Sequence, residues 1–114
     1  MSFVIICVTA DGPSPDALCE EHFGRAPFLF MAEGDSGRWW AVENTLPGPC
    51  GGKVPGAVRI LREQGVTVLV TGRVGGTGQE ALEEAGIGVF CCPEGIHVGE
   101  ALQRFRTGEL IRIV

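Results

Sequence analysis

From residue 54 to residue 105 the chain alternates between two apolar patterns, and that alternation restricts the folds open to it. Val54, Ala57, Val58 and Leu61 recur at i, i+3, i+4 and i+7, which gives a helix one apolar face. Val98, Ala101, Leu102 and Phe105 repeat the spacing. Between them lie Val66-Thr67-Val68-Leu69-Val70-Thr71, an apolar β-branched run, and a shorter run at 87–91. Such runs suit strands buried on both faces. Strands alternating with helices imply parallel pairing through right-handed crossovers.

Punctuation residues set the boundaries. Pro55 suits the first turn of the first helix, and Gly65, Gly86 and Gly108 suit the three helix stops. Thr77 and Glu80 have capping-box spacing, which predicts the start of the second helix. Upstream, residues 3–9 form another buried strand pattern, and residues 16–24 suit a short helical turn. Residues 27–33 and 38–44 read as strands joined by a hairpin at Gly34-Asp35-Ser36-Gly37, and residues 46–52 as a loop. The predicted order is β-β-β-α-β-α-β-α, an α/β fold. Its mixed five-stranded sheet has strand two antiparallel, and three helices lie on its faces. Leu110 to Val114 predicts an extra edge strand or a packed terminus. A length of 114 residues fits one domain, 1–114.

Composition narrows function by exclusion. Nine basic residues against fourteen acidic give a net charge of −5, which opposes nucleic acid and anionic membranes as partners. The N-terminus lacks a basic leader, and no run approaches the ~20 apolar residues of a spanning helix. The expectation is a cytoplasmic protein. Its five cysteines, an odd number, then read as thiols rather than a disulfide framework.

The predicted topology sends residues 10–26, 45–53, 72–78 and 91–97 to one sheet edge, where open α/β sheets bind ligands. Cys19, Cys50, Cys91, Cys92, His22 and His97 all fall in those segments. Thiolate and imidazole ligands suit zinc, iron and iron–sulfur clusters. The candidate metal ligands are Cys19, His22, Cys50 and Cys91. Arg25, Lys53 and Arg73, with the backbone of Gly72, Gly75 and Gly76, are candidates to bind an anionic cofactor. Plainer roles stand beside these. Cys7 reads as a small buried hydrophobe. Cys91 and Cys92 point to opposite sides of a strand, so one faces a core. Cys50 also suits a surface thiol, and His97 also suits a helix cap.

The segment His22-Phe23-Gly24-Arg25-Ala26-Pro27-Phe28 resembles the dinitrogenase iron–molybdenum cofactor biosynthesis family. Val42-Glu43-Asn44, Gly65-Val66, Val70-Thr71-Gly72, Gly86-Ile87-Gly88-Val89 and the final helix ending at Gly108 extend the resemblance over nearly the whole chain. It implies a ribonuclease-H-like fold, with Cys19 and His22 on the cluster-facing loop. It also implies a protein that binds, stores or carries an iron–sulfur cluster or an iron–molybdenum cofactor precursor, with a client or donor protein as partner.

That fold raises a nuclease reading, but two-metal hydrolysis needs carboxylates holding ions ~4 Å apart. Residues 3–9 and 66–71 contain no Asp or Glu. No Ser-His-Asp or Cys-His-Asn set is evident, and no turnover is expected. Two alternatives remain. Gly76-Thr77-Gly78-Gln79-Glu80-Ala81 fits G-x-G-x-x-A, which suits nucleotide or other anion binding by the turn 72–78. Trp39 or Trp40 would serve a cofactor-free protein-interaction module.

Overall fold

The computed structural model describes residues 4–34, 36–44 and 53–113. The strands are β1 (Ile5–Ala10), β2 (Phe28–Glu33), β3 (Trp39–Glu43), β4 (Val66–Thr71), β5 (Gly88–Cys91) and β6 (Ile111–Arg112). The helices are α1 (Lys53–Glu63), α2 (Gly76–Glu84) and α3 (Val98–Arg106), with a 3₁₀ turn at Phe23–Arg25. The loop predicted at residues 46–52 lies outside the described residues.

The sheet runs β3-β2-β1-β4-β5-β6. Strands β1, β4 and β5 are parallel neighbours, while β2, β3 and β6 join by antiparallel pairs. Strand two is antiparallel as predicted, but the sheet has six strands rather than five. The sixth is the short tail strand, where Ile111 pairs with Cys91 and Arg112 with Phe90. A two-residue strand has no periodicity of its own, and only the edge of β5 makes it one.

Alternation along the strands divides the core in two. Cys7, Leu29, Met31, Leu69 and Val89 face one side and pack with Ala57, Val58, Leu61 and Leu82 of α1 and α2. Ile6, Val8, Phe30 and Val70 face the other side and pack with Val98, Ala101 and Leu102 of α3. Cys7 is fully buried, and burial pushes its thiol pKa up, which suits a packing role. The first helix stops where Gly65 adopts φ +77°, a left-handed conformation that favours glycine. The second begins earlier than capping-box spacing placed it. Its N-cap is Gly75, with Gln79 N–H bonded to the Gly75 carbonyl at 2.8 Å and no side-chain cap. Among the described residues no helix is long and apolar enough to cross a membrane.

Register places the strand ends. Ala10 lies opposite Phe28, Phe28 opposite Glu43, and Thr71 opposite Cys91. Residues following β1, β4 and β5 therefore gather at one edge. There the backbone of residue 21 passes directly over Gly72. A Cβ on Gly72 would lie 2.7 Å from the Glu21 carbonyl oxygen and 2.9 Å from its Cα. Only glycine permits that approach. Gly72→Ala is expected to lower stability by about 1–3 kcal/mol, as overpacking against fixed backbone does. Gly76→Ala, with no atom within 4 Å of its Cβ, should leave stability equal or higher. Urea midpoints of the two variants check this, and an unchanged Gly72→Ala midpoint would contradict the close approach.

Candidate functional site

The segment after β1 returns along its own strand end. Asp11 closes the loop: its N–H bonds the Leu18 carbonyl at 3.0 Å, and its Oδ1 accepts from Leu18 N–H at 2.9 Å. Cys19 then forms a single bridge with Ala10, Leu18 with His97, and His22 with Arg73. Glu20 N–H donates to the Thr9 carbonyl at 2.8 Å, and the Thr9 hydroxyl donates to the Glu20 carbonyl at 2.8 Å. The Thr71 hydroxyl lies 2.8 Å from that of Thr9. Thr9 has one proton, so Thr71 supplies the hydrogen between the two hydroxyls.

A second set of contacts joins this loop to the segment leading into α3. Cys19 N–H donates to the Ile96 carbonyl, Val98 N–H to Ala17 and Gly99 N–H to Pro15, each at 2.9–3.0 Å. His97 Nδ1 lies 2.7 Å from the Asp16 carbonyl oxygen. A carbonyl only accepts, so this nitrogen carries the proton. His97 is the N-cap residue of α3, yet its side chain ties the loop instead of capping the helix.

Between the two segments lies a cleft of about 290 Å³, walled by residues 19–22 and 92–95 with Gly72 beside them. Cys19 and Cys92 both line it, and their thiols share a hydrogen bond. Cys92 N–H donates to the Thr71 carbonyl at 2.9 Å, so backbone bonds hold both cysteines in place. The shared hydrogen bond raises the Cys19 pKa, with burial adding to the rise. The same bond lowers the Cys92 pKa, helped by the charge of Arg104 and opposed by burial. Cys19 is therefore the proton donor of the pair, and Cys92 is the readier thiolate. The Cys92 sulfur also lies 3.4 Å from the Pro93 carbonyl, a partner for its own proton when neutral.

The predicted site residues divide by position. Cys19, His22 and Gly72 line the cleft. Arg73 lies beside it, with its Nε 2.9 Å from Glu21 Oε1. Arg25, exposed, ends the 3₁₀ turn, and Gly75 and Gly76 lie at the start of α2. Cys91 is not among the cleft residues; its sulfur lies 3.7 Å from the Gly72 carbonyl oxygen. Cys50 and the side chain of Lys53 lie outside the described residues. Cys92 is the member that sequence reasoning passed over. Strand alternation signalled that one of the adjacent cysteines faces inward, without saying which.

The cleft is acidic. Glu20, Glu21 and Glu94 line it, while among the described residues no Lys or Arg does. Among the described residues no three His, Cys, Asp or Glu side chains converge to hold a metal ion. The chemistry on offer is that of two soft sulfur donors.

The profile of the family described as "Dinitrogenase iron-molybdenum cofactor" matches residues 4–108. The apo form of the orange protein from Desulfovibrio gigas is 34% identical, with a TM-score of 0.89 over 99% of this chain and 95% of that one. A putative NifB protein from Thermotoga, assigned to the DUF35 family, is 28% identical, with a TM-score of 0.82 over 96% of this chain and 92% of that one. No curated protein matches the sequence.

The Cys19–Cys92 hydrogen bond sets a pH dependence. Cys92 should be alkylated by iodoacetamide at lower pH than an ordinary thiol. Cys19→Ala removes the donor that stabilises the Cys92 thiolate, so the profile should move to higher pH. Peptide mass spectrometry after timed alkylation reads Cys92 separately. An identical profile in both proteins would deny the coupling.

Proposed function

The chain belongs to the dinitrogenase iron–molybdenum cofactor family, and on that premise we propose that it takes up a metal–sulfur cluster as cargo in the cleft beside Cys19 and Cys92. The observation that carries this reading is the pair of thiols that line one cleft at the edge of the sheet where open α/β folds bind ligands. Thiolates are the side chains that hold iron–sulfur clusters. His22 lines the same cleft without converging on the two thiols as a third ligand.

The donor set fits a cluster held by few protein bonds. Two thiolates leave other metal positions open to a donor or client protein, which suits transfer. The cleft carboxylates work against a highly charged anion, so a loose hold is expected. Arg73 complements negative charge on the cargo only by giving up Glu21. Arg25 and the amides of Gly75 and Gly76 are the further groups proposed to attract it from outside the cleft. Cys91 receives no ligand role in this arrangement. The proposed role is binding and delivery of an iron–sulfur cluster or an iron–molybdenum cofactor precursor, without catalytic turnover.

Anaerobic reconstitution with iron and sulfide tests the proposal. Wild type should bind iron stoichiometrically and show a visible charge-transfer band. Cys19→Ala and Cys92→Ala should each lower cluster affinity by at least about tenfold, a scale typical of lost metal-site support. Cys91→Ala should retain the band. A folded, reduced wild type that takes up no cluster overturns the cargo reading.

A further inference from the structure

The two thiols that line the cleft have a chemistry of their own. Cys19 is tied to the Ile96 carbonyl and bridges to Ala10, while Cys92 is tied to the Thr71 carbonyl. Thr9 and Thr71 are in turn joined through their hydroxyls. Backbone bonds hold both residues at the cleft, where Cys19 is half-buried and Cys92 is buried against the core but still reaches the cleft wall. The two residues line one cleft, and their sulfurs must approach to the ~2.05 Å of a disulfide for the bond to form. With the backbone of both residues tied, side-chain rotation is the movement that brings the sulfurs together.

We propose that Cys19 and Cys92 form a reversible disulfide by exchange with a small-molecule disulfide, and that this bond closes the cleft to cargo. The inference rests on the cargo reading above, because the bond consumes the two sulfurs that would hold a cluster. In the first step a thiolate of the pair attacks one sulfur of the external disulfide. A mixed disulfide forms, and one small thiolate leaves. The second cysteine loses its proton to solvent and attacks the protein-side sulfur, expelling the second small thiolate. Two cysteine thiols are oxidised to one disulfide, and one external disulfide is reduced to two thiols. The reverse exchange with a dithiol reductant restores the pair. Disulfides in reducing compartments are commonly transient and redox-sensing, which agrees with a pair beside a ligand cleft.

The test uses the full chain and oxidised glutathione. The reduced protein is incubated without oxygen, quenched by alkylation, digested and analysed by mass spectrometry, and iron uptake is measured in parallel. The expected product is a peptide linking Cys19 to Cys92, lost on treatment with dithiothreitol. Cys19→Ser should instead retain glutathione on Cys92, since the second thiol is missing. The bridged protein should take up no cluster until reduced. A bridge through another cysteine, a stable glutathione adduct on wild type, or equal cluster uptake by bridged and reduced forms overturns the gate. If the bridge forms but the reduced protein takes up no cluster, the cargo reading fails, and the gate fails with it. Mass and iron content thus report the two failures separately.

Discussion

The Thr9 hydroxyl is the contact on which the cleft depends. It sits fully buried in the middle of the sheet, where an unpartnered hydroxyl would cost about 1–3 kcal/mol. Its partners are the Glu20 carbonyl and the Thr71 hydroxyl. One side chain thereby joins β1, β4 and the returning loop. Cys19 precedes Glu20 in the chain, and Cys92 donates its N–H to Thr71. The approach of the two sulfurs follows from where Thr9 holds these neighbours. The bare Cα of Gly72 completes the arrangement by letting residue 21 cross the end of β4.

The cleft joins soft donors to an adverse charge. Burial and the charges of Asp11 and Glu100 disfavour two simultaneous thiolates, and the two sulfurs move each other's pKa in opposite directions. On the proposed reading, metal bound by these sulfurs would require their deprotonation, which would link loading to pH. A site with two sulfurs and little positive charge holds cargo less firmly than a closed four-ligand site. Weak retention would suit the proposed delivery role, and the same two sulfurs are those of the proposed disulfide. Both proposed properties come from one geometric fact.

Much of the architecture was legible along the chain. Buried-strand runs and helical faces depend on residues a few positions apart, so the three helices and five of the strands could be placed from spacing alone. The tail was legible as either an extra edge strand or a packed terminus, and pairing with Phe90 and Cys91 makes it the strand. Gathering the loops at one edge also followed from element order. The partner of Arg73 did not follow from it: a cation at that edge was legible, but its pairing with Glu21 requires two separated turns to meet.

Cys91 and Cys92 show where the division falls. The sequence by itself determined that their side chains part, because successive residues of a strand alternate, and it determined that Cys19 lies at the same sheet edge. Tertiary structure decided which one meets Cys19. Register pairs Thr71 with Cys91, α3 covers the face that Cys92 joins, and the loop after β1 crosses to that side. Periodicity is a property of neighbouring residues, whereas contact between two distant sulfurs depends on how the whole sheet closes around them.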